Sequence, residues 1–380
     1  MDDGMLAGLR VVDLSRVLAG PYCTQLLADL GADVIKVENP DGGDETRAWG
    51  PPFAEGGESA YYLSVNRGKR SVALDLKDER DRAAAAELCA HADVVVENFR
   101  TGTAERFGLG YEQVAQANPR VVYCSVTGFG SDRTPPGRPG YDFVAQAESG
   151  IMAITGDPDG EPTKVGVALV DVLTGLNAAA GVLAALNQRH ASGRGRLVEA
   201  SLIDSALAAL VNVSSGALVT GEEPRRYGNA HPNIVPYQPF RAADGYVAVA
   251  APNDHLYRRL CQAIGRADLA GDERYATNPD RVRNRETLVP ELERTFRGRP
   301  AGEWVEALDE AGVPAGKVRG VREALAAVED AGRAATVAVG GVQTVRQPLL
   351  ADGVPVSAER PPPRLGEHTD EVLRELGIDR

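Results

Sequence analysis

A chain of 380 residues is long enough for roughly two domains of about 150 residues each, which excludes a single small module. Its 43% hydrophobic and 25% charged residues are typical of globular proteins and exclude disordered, collagen-like and low-complexity classes. The 41 basic and 54 acidic residues give a net charge of -13, which disfavours nucleic acid and anionic lipid as partners. A local basic pocket can still bind a small anion.

The cysteines and the N-terminus indicate the cellular setting. Four cysteines lie far apart, without metal-binding or disulfide-like spacing, so we expect buried free thiols and no metal site; they are Cys23, Cys89, Cys124 and Cys261. The N-terminal sequence MDDGMLAGLR lacks the basic start and apolar run of a signal peptide. No apolar stretch approaches the roughly 18 residues that cross a bilayer. We therefore expect a cytoplasmic protein with no membrane partner.

The first half of the chain alternates short apolar runs with helical patterns, which is typical of a parallel sheet covered by helices on both faces. The predicted strands are Leu9–Leu14, Asp33–Glu38, Ser71–Leu76, Asp93–Asn98 and Val121–Val126. The predicted helices are Pro21–Leu30, Glu79–His91 and Thr103–Ala117. We therefore predict an α/β fold with a doubly wound parallel sheet.

The second half changes character along the chain. Small-residue patterns predict buried helices over Leu173–Arg189 and Leu197–Leu218. After the polar stretch Glu222–Arg226, two strand-like runs flank the turn Ala242–Gly245 and predict the start of a second domain. Further helices are predicted near Asp254–Ile264, Arg281–Phe296, Gly302–Ala311, Arg322–Glu329 and Thr369–Leu376.

In a doubly wound sheet, ligands bind at the carboxyl ends of the strands, so the first strand-to-helix loop is informative. It reads SRVLAGP (Ser15 to Pro21), and its single glycine does not make the G-x-G-x-x-G fingerprint of dinucleotide binding. Glu38 ends the second strand, where an acidic residue could bind a ribose. A nucleotide-binding dehydrogenase is therefore disfavoured but stays open as an alternative of a different class.

Basic residues cluster near the ends of the same strands. Asn66–Ser71 holds three cations beside a glycine, and Lys77 follows the next strand. These cations could bind phosphates or lie in a solvated turn. The run Asn98-Phe99-Arg100, with Arg106 further on, adds an aromatic face and more cations to this edge.

Two aspartates and a histidine are candidates for chemistry. Asp171 stands where an extended run meets a helical pattern, so it is either a helix N-cap or a nucleophilic carboxylate. Asp142 follows a glycine and is either a second active carboxylate or a turn residue. His231 lies in a loop, where a lone histidine is usually structural or solvated.

Taken together, the motifs resemble the class III CoA-transferases, the superfamily of formyl-CoA transferase, carnitine CoA-transferase and the α-methylacyl-CoA racemases. The resemblance covers essentially the whole chain. It is carried by LSRVLAGPYCTQLLADLGADVIKVE (Leu14 to Glu38), NRGKRSVALDLK (Asn66 to Lys77), VVENFR (Val95 to Arg100), GYDFVAQAESG (Gly140 to Gly150), the Asp171 turn, YGNAHPNIVPYQPF (Tyr227 to Phe240) and PPPRLGEHTDEVLRELG (Pro361 to Gly377).

The resemblance implies a fold and an activity. It implies a large CoA-binding α/β domain over 1–221, a smaller α+β domain over 222–320, and a C-terminal segment, 321–380, that returns to the large domain. It also implies an interlocked homodimer. In such an enzyme Asp171 attacks the thioester of an acyl-CoA, and CoA passes to a free carboxylic acid through an aspartyl anhydride and an aspartyl-CoA thioester.

The resemblance also implies which residues line the site. Those matching CoA-binding positions are Val17, Leu18, Ala19, Leu74, Lys77, Asn98, Phe99 and Arg106. Candidates for contacts with the acyl group or the oxyanion are Tyr141, Asp142, Gly228, Asn229, Ala230 and His231. CoA enters as a substrate, with carboxylic acids as the other substrates.

Departures from the family pattern narrow the chemistry. Leu18 and Asn39 replace a glutamine and an arginine of formyl-CoA transferase, which disfavours formate and oxalate. Tyr141 stands where the racemases have a histidine base, and a phenol that ionises near pH 10 is a poor base, so transfer is favoured over the alternative of racemisation. The loop after Tyr227 is most similar to members that use succinyl-CoA or other dicarboxylyl-CoA donors.

Overall fold

The structure is a computed structural model that describes residues 4–131 and 138–378. The chain divides into two compact units. Unit 1 contains Met1–Ile151, Lys164–Glu222 and Gly332–Arg380, and unit 2 contains Met152–Thr163 and Glu223–Ala331. Unit 2 thus takes residues 152–163 and 321–331, which lie outside the predicted small domain 222–320. The predicted domain ranges stay a prediction.

A six-stranded parallel sheet forms the centre of unit 1, as predicted. Its strands are β1 (Arg10–Asp13), β2 (Asp33–Glu38), β3 (Lys69–Ala73), β4 (Val94–Glu97), β5 (Val122–Thr127) and β6 (Arg196–Ser201). Their spatial order is β3-β2-β1-β4-β5-β6, and every neighbouring pair is parallel. The strand order reverses between β1 and β4, which opens a crevice at the carboxyl ends of these two strands.

Helices cover both faces of this sheet because alternate strand residues point to opposite sides. Val11 and Val34 pack into one core cluster with residues of α1 and α8, and Val12 and Ile35 pack into another with residues of α3. The helices are α1 (Ala19–Asp29), α2 (Ala60–Ser64), α3 (Glu79–Ala90), α4 (Thr103–Arg106), α5 (Tyr111–Ala117), α6 (Asp142–Glu148), α7 (Ile151–Ile154, at the unit boundary), α8 (Leu169–Ser192), α9 (Leu202–Ala209) and α10 (Val211–Thr220).

Two predicted helices are wrong in part. The segment Leu197–Leu218 begins as the edge strand β6, which pairs with β5, before α9 and α10 follow. The segment Thr103–Ala117 is divided into α4 and α5, because Gly108 between them has a φ of 73° that does not continue a helix.

Helix α8 is longer and more apolar than the sequence analysis expected. Its 24 residues include an 18-residue stretch with a mean hydropathy of 1.8, which is long and apolar enough to cross a membrane. The prediction that no apolar stretch approaches about 18 residues is therefore wrong. In unit 1 the buried side of α8 packs against α1, β5 and β6. Core helices made of small and apolar residues can have the same length and the same apolar composition.

Unit 2 has its own sheet and core. Its antiparallel strands are β7 (Tyr237–Arg241), β8 (Tyr246–Ala250) and β9 (Ala315–Lys317), so the predicted hairpin is confirmed. Its helices are α11 (Asp254–Ala263), α12 (Ala267–Ala270), α13 (Asn278–Arg283), α14 (Arg285–Phe296), α15 (Ala301–Glu310) and α16 (Val321–Asp330). The rings of Phe240 and Phe296 stack at 4.8 Å in the core, beside Trp304.

The C-terminal segment adds small elements to unit 1. Two short antiparallel pairs are β10 (Thr336–Val339) with β11 (Val342–Val345), and β12 (Leu350–Ala351) with β13 (Val354–Pro355). The last helix, α17 (Thr369–Glu375), packs against β3. Arg70 of β3 forms ion pairs with Glu371 and Glu375 of this helix, which fixes the end of the chain to the sheet.

Candidate active site

The loop between β1 and α1 is held by a side chain from the loop after β4. Asn98 accepts a hydrogen bond from the backbone N–H of Arg16 at 2.8 Å and donates one to the carbonyl of Arg16 at 2.7 Å. The next residue, Val17, has a φ of 70°, which a β-branched residue rarely adopts. Such strain persists where the surroundings enforce it, and the two bonds to Arg16 are part of that constraint.

A buried ionic cluster lies at the base of the same loop. Lys69 is 3.0 Å from Asp13, and Lys36 is 3.0 Å from Asp44, with all four side chains shielded from solvent. Burial opposes ionisation of Asp13, but Lys69 and Lys36 hold the pKa of its carboxyl far below the ordinary value. Asp44 also accepts the N–H of Val17 at 3.4 Å, which connects the cluster to the loop.

The cations of the Asn66–Ser71 segment meet carboxylates inside unit 1. Lys69 reaches Asp13, Arg67 is 2.6 Å from Asp29, and Arg70 is 2.6 Å from Asp33. All three cationic side chains are at most 4% exposed. Both sequence interpretations of this segment, a solvated turn and a phosphate-binding turn, are therefore wrong.

Asp171 lies in the first turn of α8, but another residue caps that helix. The carboxylate of Asp142 accepts the N–H groups of Val170 at 2.7 Å and of Asp171 at 3.3 Å. Gln146 fixes Asp142 through a hydrogen bond of 2.6 Å. The helix-cap interpretation of Asp171 is therefore wrong, and its carboxylate has no hydrogen-bond or ion-pair partner among the residues that the structure describes.

The environment of Asp171 disfavours its charged form. Burial, with the nearby charge of Asp142, raises the pKa of its carboxyl to about 7. Burial and the same two aspartates raise the pKa of Tyr61 to about 12. Near neutral pH a large fraction of Asp171 is therefore ionised without a compensating cation, which is the state that a nucleophilic carboxylate needs.

A cavity of about 300 Å³ contains Asp171 in its wall, at the crevice where the strand order reverses. It is lined by the end of β5, by the segments that follow β1, β2, β4 and β5, and by residues in the first turns of α1, α8 and α9: Arg16, Val17, Leu18, Ala19, Glu45, Asn98, Phe99, Arg100, Thr101, Val126, Thr127, Gly128, Phe129, Gly130, Arg138, Pro139, Gly140, Tyr141, Asp171 and Leu202. We call it the Asp171 cavity.

A second cavity of about 230 Å³ adjoins the first at the carboxyl ends of β1, β2 and β3. Arg16 and Phe99 line both cavities. The second cavity, which we call the Lys77 cavity, is lined by Leu14, Arg16, Lys36, Val37, Glu38, Asn39, Gly43, Asp44, Leu74, Asp75, Leu76, Lys77, Phe99, Thr103 and Phe107. Together the cavities give unit 1 a polar cleft with the buried carboxyl of Asp171 in one part and Lys77 in the other.

Glu97 fixes the backbone that carries Phe99. Its carboxyl accepts the N–H of Phe99 at 2.8 Å and a hydrogen bond from the hydroxyl of Ser125. Burial raises the pKa of Glu97 to about 7. Phe99 and the adjacent Asn98 thus stand on a rigid base at the end of β4, where both line the Asp171 cavity.

The structure groups the predicted CoA positions into three sets. Val17, Leu18, Ala19, Asn98 and Phe99 line the Asp171 cavity, and Leu74, Lys77 and Phe99 line the Lys77 cavity. Arg106 lines neither, and its exposed guanidinium lies 5.7 Å from the ring of Phe107, which lines the Lys77 cavity. The binding roles of all these residues stay predictions.

The candidates for acyl or oxyanion contacts are divided between the units. Tyr141 lines the Asp171 cavity with half of its side chain exposed, and Asp142 is the buried cap of α8. The remaining four, Gly228, Asn229, Ala230 and His231, lie in unit 2. The N–H of Ala230 closes a turn to the carbonyl of Tyr227 at 3.0 Å, and the predicted role of this loop stays a prediction.

Other sequence predictions are resolved by local contacts. Glu38 forms two hydrogen bonds with Arg47, at 2.8 and 2.7 Å, and accepts another from Ser71, so its carboxylate is occupied by protein groups rather than left for a ribose. The four cysteines are free and buried, as predicted. Among residues 4–131 and 138–378, no group of three His, Cys, Asp or Glu side chains is placed to hold a metal ion.

Sequence reasoning missed two supporting roles. Neither the capping of α8 by Asp142 nor the bonds of Asn98 to the Arg16 backbone has a local sequence signature, because each joins segments that are distant along the chain. The sequence placed Asn98 at the end of a strand and Asp142 near a glycine, and neither position indicates which backbone groups its side chain would bind.

Comparisons with known proteins agree on one family. The family described as CoA-transferase family III matches residues 6–369. The chain is 42% identical to the succinate–glutarate CoA-transferase of Agrobacterium fabrum, over 98% of this chain and 95% of that protein. It is 39% identical to the human succinyl-CoA:glutarate CoA-transferase, over 98% and 86%. A solved CAIB/BAIF family protein from Brucella suis superposes with a TM-score of 0.89 at 42% identity, covering 98% of this chain and 99% of that one.

Proposed function

The chain belongs to CoA-transferase family III, and we propose that it moves CoA between two dicarboxylic acids through a covalent bond to Asp171. The observation that carries this proposal is the carboxyl of Asp171, 8% exposed and without a partner among the described residues, in the wall of a cavity at the sheet crevice. The dicarboxylic substrates are supported by the names of the relatives, which act on succinate and glutarate or their CoA esters.

The first half of the proposed reaction releases the donor acid. A carboxylate oxygen of Asp171 attacks the thioester carbonyl carbon, the carbon–sulfur bond breaks, and CoA leaves as a thiolate, so that a mixed anhydride remains. The thiolate then attacks the aspartyl carbonyl carbon of that anhydride. The bond to the donor carboxylate breaks, and Asp171 is left as a thioester of CoA. No proton or electron is gained or lost.

The second half runs the same steps with the acceptor. The acceptor carboxylate attacks the aspartyl thioester and displaces the thiolate, which then attacks the acceptor carbonyl of the new anhydride. Asp171 returns as a carboxylate, and the acceptor leaves as its CoA ester. Because each step exchanges one activated acyl bond for another, no nucleotide triphosphate is required.

The start of α1 supports the developing oxyanion in this proposal. The backbone N–H groups of Leu18 and Ala19 have no acceptor among the described residues, and both residues line the Asp171 cavity. Fixed amide donors near a reacting carbonyl stabilise the negative charge of the tetrahedral intermediate. In the same arrangement, CoA passes from the Asp171 cavity to the Lys77 cavity, where Lys77 and the nearby Arg106 bind phosphates.

Oxygen exchange tests the covalent step. An acceptor acid labelled with oxygen-18 in its carboxyl groups should leave one heavy oxygen on Asp171 after one turnover, because the thiolate breaks the bond on the acceptor side of the anhydride. Mass spectrometry of the peptide that contains Asp171 measures this directly. CoA transfer with an unlabelled Asp171 would exclude the anhydride route. If no acceptor receives CoA, the transfer proposal itself fails.

We also propose that a second copy of this chain covers α10. No residue of α10 is buried in the single chain, and Leu218 and Val219 are 86% and 85% exposed. Apolar side chains at this exposure favour burial against a partner. Sedimentation of the wild type should give twice the chain mass, and Leu218→Asp should lower that mass; a wild-type monomer at micromolar concentration would contradict the proposal.

A further inference from the structure

Three arginines line the Asp171 cavity, and their surroundings differ. Arg138 forms an ion pair with Glu148 and lies over the ring of Phe129 at 4.2 Å. Arg16 is 4.0 Å from a carboxylate oxygen of Glu45. Arg100 has no carboxylate within 4.0 Å among residues 4–131 and 138–378. It is the one arginine of this wall whose charge no described side chain balances.

The backbone of Arg100 is fixed, whereas its side chain is exposed and unpaired. The two preceding residues are held by hydrogen bonds, Asn98 to Arg16 and Phe99 to Glu97. The carbonyl of Arg100 accepts the N–H of Thr103 at 2.9 Å. A guanidinium on such a base can donate two parallel hydrogen bonds to a planar anion, and little backbone freedom is lost on binding.

We propose that Arg100 binds the distal carboxylate of a dicarboxylyl group whose other end reacts with Asp171. This inference rests on the proposed transfer through Asp171 and names the substrate class that the same cavity selects. A second carboxylate that enters a partly buried cavity loses hydration and needs a cation in return. Arg100 supplies that cation, and a monocarboxylic acyl group of equal length gains nothing from it.

The position of Arg100 fits the acyl group better than the phosphates of CoA. Arg100 does not line the Lys77 cavity, whereas Arg16 lines both cavities. Arg100 instead borders a third cavity of about 80 Å³, where Glu105 and Glu199 repel a carboxylate. An anionic acyl end near Arg100 therefore stays in the Asp171 cavity.

Arg100 also stands apart from the nucleophile. The pKa of Asp171 is raised by burial and by Asp142, without a lowering contribution from any arginine. A guanidinium in direct contact would lower that pKa and hold the carboxylate in an ion pair. Arg100 and Asp171 line the same cavity without forming an ion pair, so the guanidinium stays available to a substrate carboxylate.

A matched pair of donors tests the assignment. Succinyl-CoA and butyryl-CoA have acyl chains of the same length, and only the first ends in a carboxylate. In a double-displacement reaction the kcat/KM of the donor does not depend on the acceptor, so this constant isolates donor recognition. Arg100→Ala should lower kcat/KM for succinyl-CoA by about 30- to 100-fold, as expected for a lost charge-assisted hydrogen bond, and for butyryl-CoA by less than about 3-fold.

Two further variants make the result specific. Arg100→Lys should restore part of the succinyl-CoA activity, because it keeps the charge without the bidentate geometry. Arg16→Ala should lower kcat/KM for both donors by the same factor, because Arg16 lies where the two cavities meet. Equal losses with both donors in Arg100→Ala, or no loss with either, would overturn the role of Arg100. A wild-type enzyme that transfers CoA from neither donor would instead overturn the proposed function.

Discussion

Asp13 and Asp171 are both buried, but they lie in opposite electrostatic surroundings. Asp13 ends β1 beside Lys69 at 3.0 Å and also accepts a hydrogen bond from Thr24 at 2.7 Å, so its pKa lies far below the ordinary value. Asp171 lies in the first turn of α8, where burial and the negative charge of Asp142 raise its pKa to about 7. Both carboxyls are at most 8% exposed, so burial alone does not separate them.

The two pKa values differ because the two carboxyls have different charges and hydrogen-bond donors around them. At Asp13 the lysines and hydroxyls compensate for the lost hydration, and the carboxylate is part of the framework that holds the cavity loop. At Asp171 that compensation is absent among the described residues, so the ionised form is high in energy, which is what the proposed attack on a thioester requires. A buried carboxylate without partners is unfavourable for stability, which is the pattern expected of a functional group.

Removal of the Asp171 carboxylate should have the largest effect on activity. Asp171→Ala should lower kcat by about 10³-fold or more, because no other group can form the covalent intermediate, while CoA still binds. Steady-state kinetics and calorimetric titration with CoA measure the two quantities. Asp204→Ala is the matched control, since Asp204 is also a first-turn aspartate, on α9, and lies outside both cavities. CoA transfer that persists in Asp171→Ala would show that the Asp171 carboxyl does not form the covalent intermediate. The contrast with Asp13 would then have no functional meaning.

The same kind of substitution at Asp13 should act on stability. Asp13→Asn keeps the shape but leaves Lys69 buried with one carboxylate fewer, which should lower the free energy of unfolding by about 3–5 kcal/mol. Burial already lowers the pKa of Lys69 to about 8, even with Asp13 present. Without Asp13 this pKa falls further, so the lysine loses its proton more readily as pH rises and the deficit should be smaller at pH 8 than at pH 6.

A double variant separates charge from packing at Asp13. Asp13→Asn with Lys69→Met removes the unpaired cation, and it should recover part of the stability lost in Asp13→Asn alone. Denaturant unfolding at constant protein concentration gives the comparison. A double variant that is less stable than the wild type by the sum of the losses in Asp13→Asn and Lys69→Met would show that the pair contributes no coupling.

The sequence predicted the sheet better than the site. Strands such as β4 and β5 are largely apolar and mostly buried on both faces, so their local pattern is sufficient. β6 is an edge strand with alternating exposed residues, and its sequence, RLVEAS, contains good helix formers. Only its pairing with β5 makes this segment a strand rather than a helix.

Charged residues were harder to predict for a related reason. Lys69 stands in a local run of cations that indicates a solvated turn, yet it lies on β3 and pairs with Asp13 on β1. Asp171 was recognisable through the family resemblance, but its carboxylate is free because Asp142, the first residue of α6, caps α8 in its place. Electrostatic partners brought together by the sheet leave no signal at either position alone.

The pH dependence of activity should report the raised pKa of Asp171. Below pH 7 the carboxyl takes up a proton and loses its nucleophilicity, so kcat/KM should fall about tenfold per pH unit below about 7 and level off above it. Asp142→Asn removes the neighbouring charge and should move the midpoint of the profile down by about one unit. An unchanged midpoint in Asp142→Asn would show that Asp142 does not act on the titrating group.

The raised pKa of Asp171 should also make the free energy of unfolding depend on pH. The folded pKa of Asp171 lies above its ordinary value, so folding is favoured when the group is protonated and weakened as pH rises through about 7. Asp171→Asn removes this penalty and should make the protein more stable than the wild type at pH 8, with a smaller difference at pH 5. A wild type that is as stable as Asp171→Asn at pH 8, or more stable, would contradict the environment assigned to Asp171.

The smallest expected effect concerns the loop between β1 and α1, which lines the Asp171 cavity. Asn98→Ala removes both hydrogen bonds to the backbone of Arg16, so the strained conformation at Val17 is less well held and the KM for acyl-CoA should rise about 5- to 10-fold with a smaller change in kcat. Asn118→Ala is the matched control. Asn118 also makes two bonds to backbone, to Ala92 and Arg120, outside both cavities.

The two asparagine variants should lose similar stability, since each loses two side-chain bonds to backbone, and only Asn98→Ala should change KM. Equal KM values in both variants would mean that the loop keeps its shape without Asn98. The buried cluster around Asp13, which reaches Val17 through Asp44, would then be sufficient to position the wall of the Asp171 cavity. In that case Asp13→Asn should raise KM instead, a constant that does not depend on the fraction of folded enzyme, because the cluster around Asp13 would shape the wall of the Asp171 cavity.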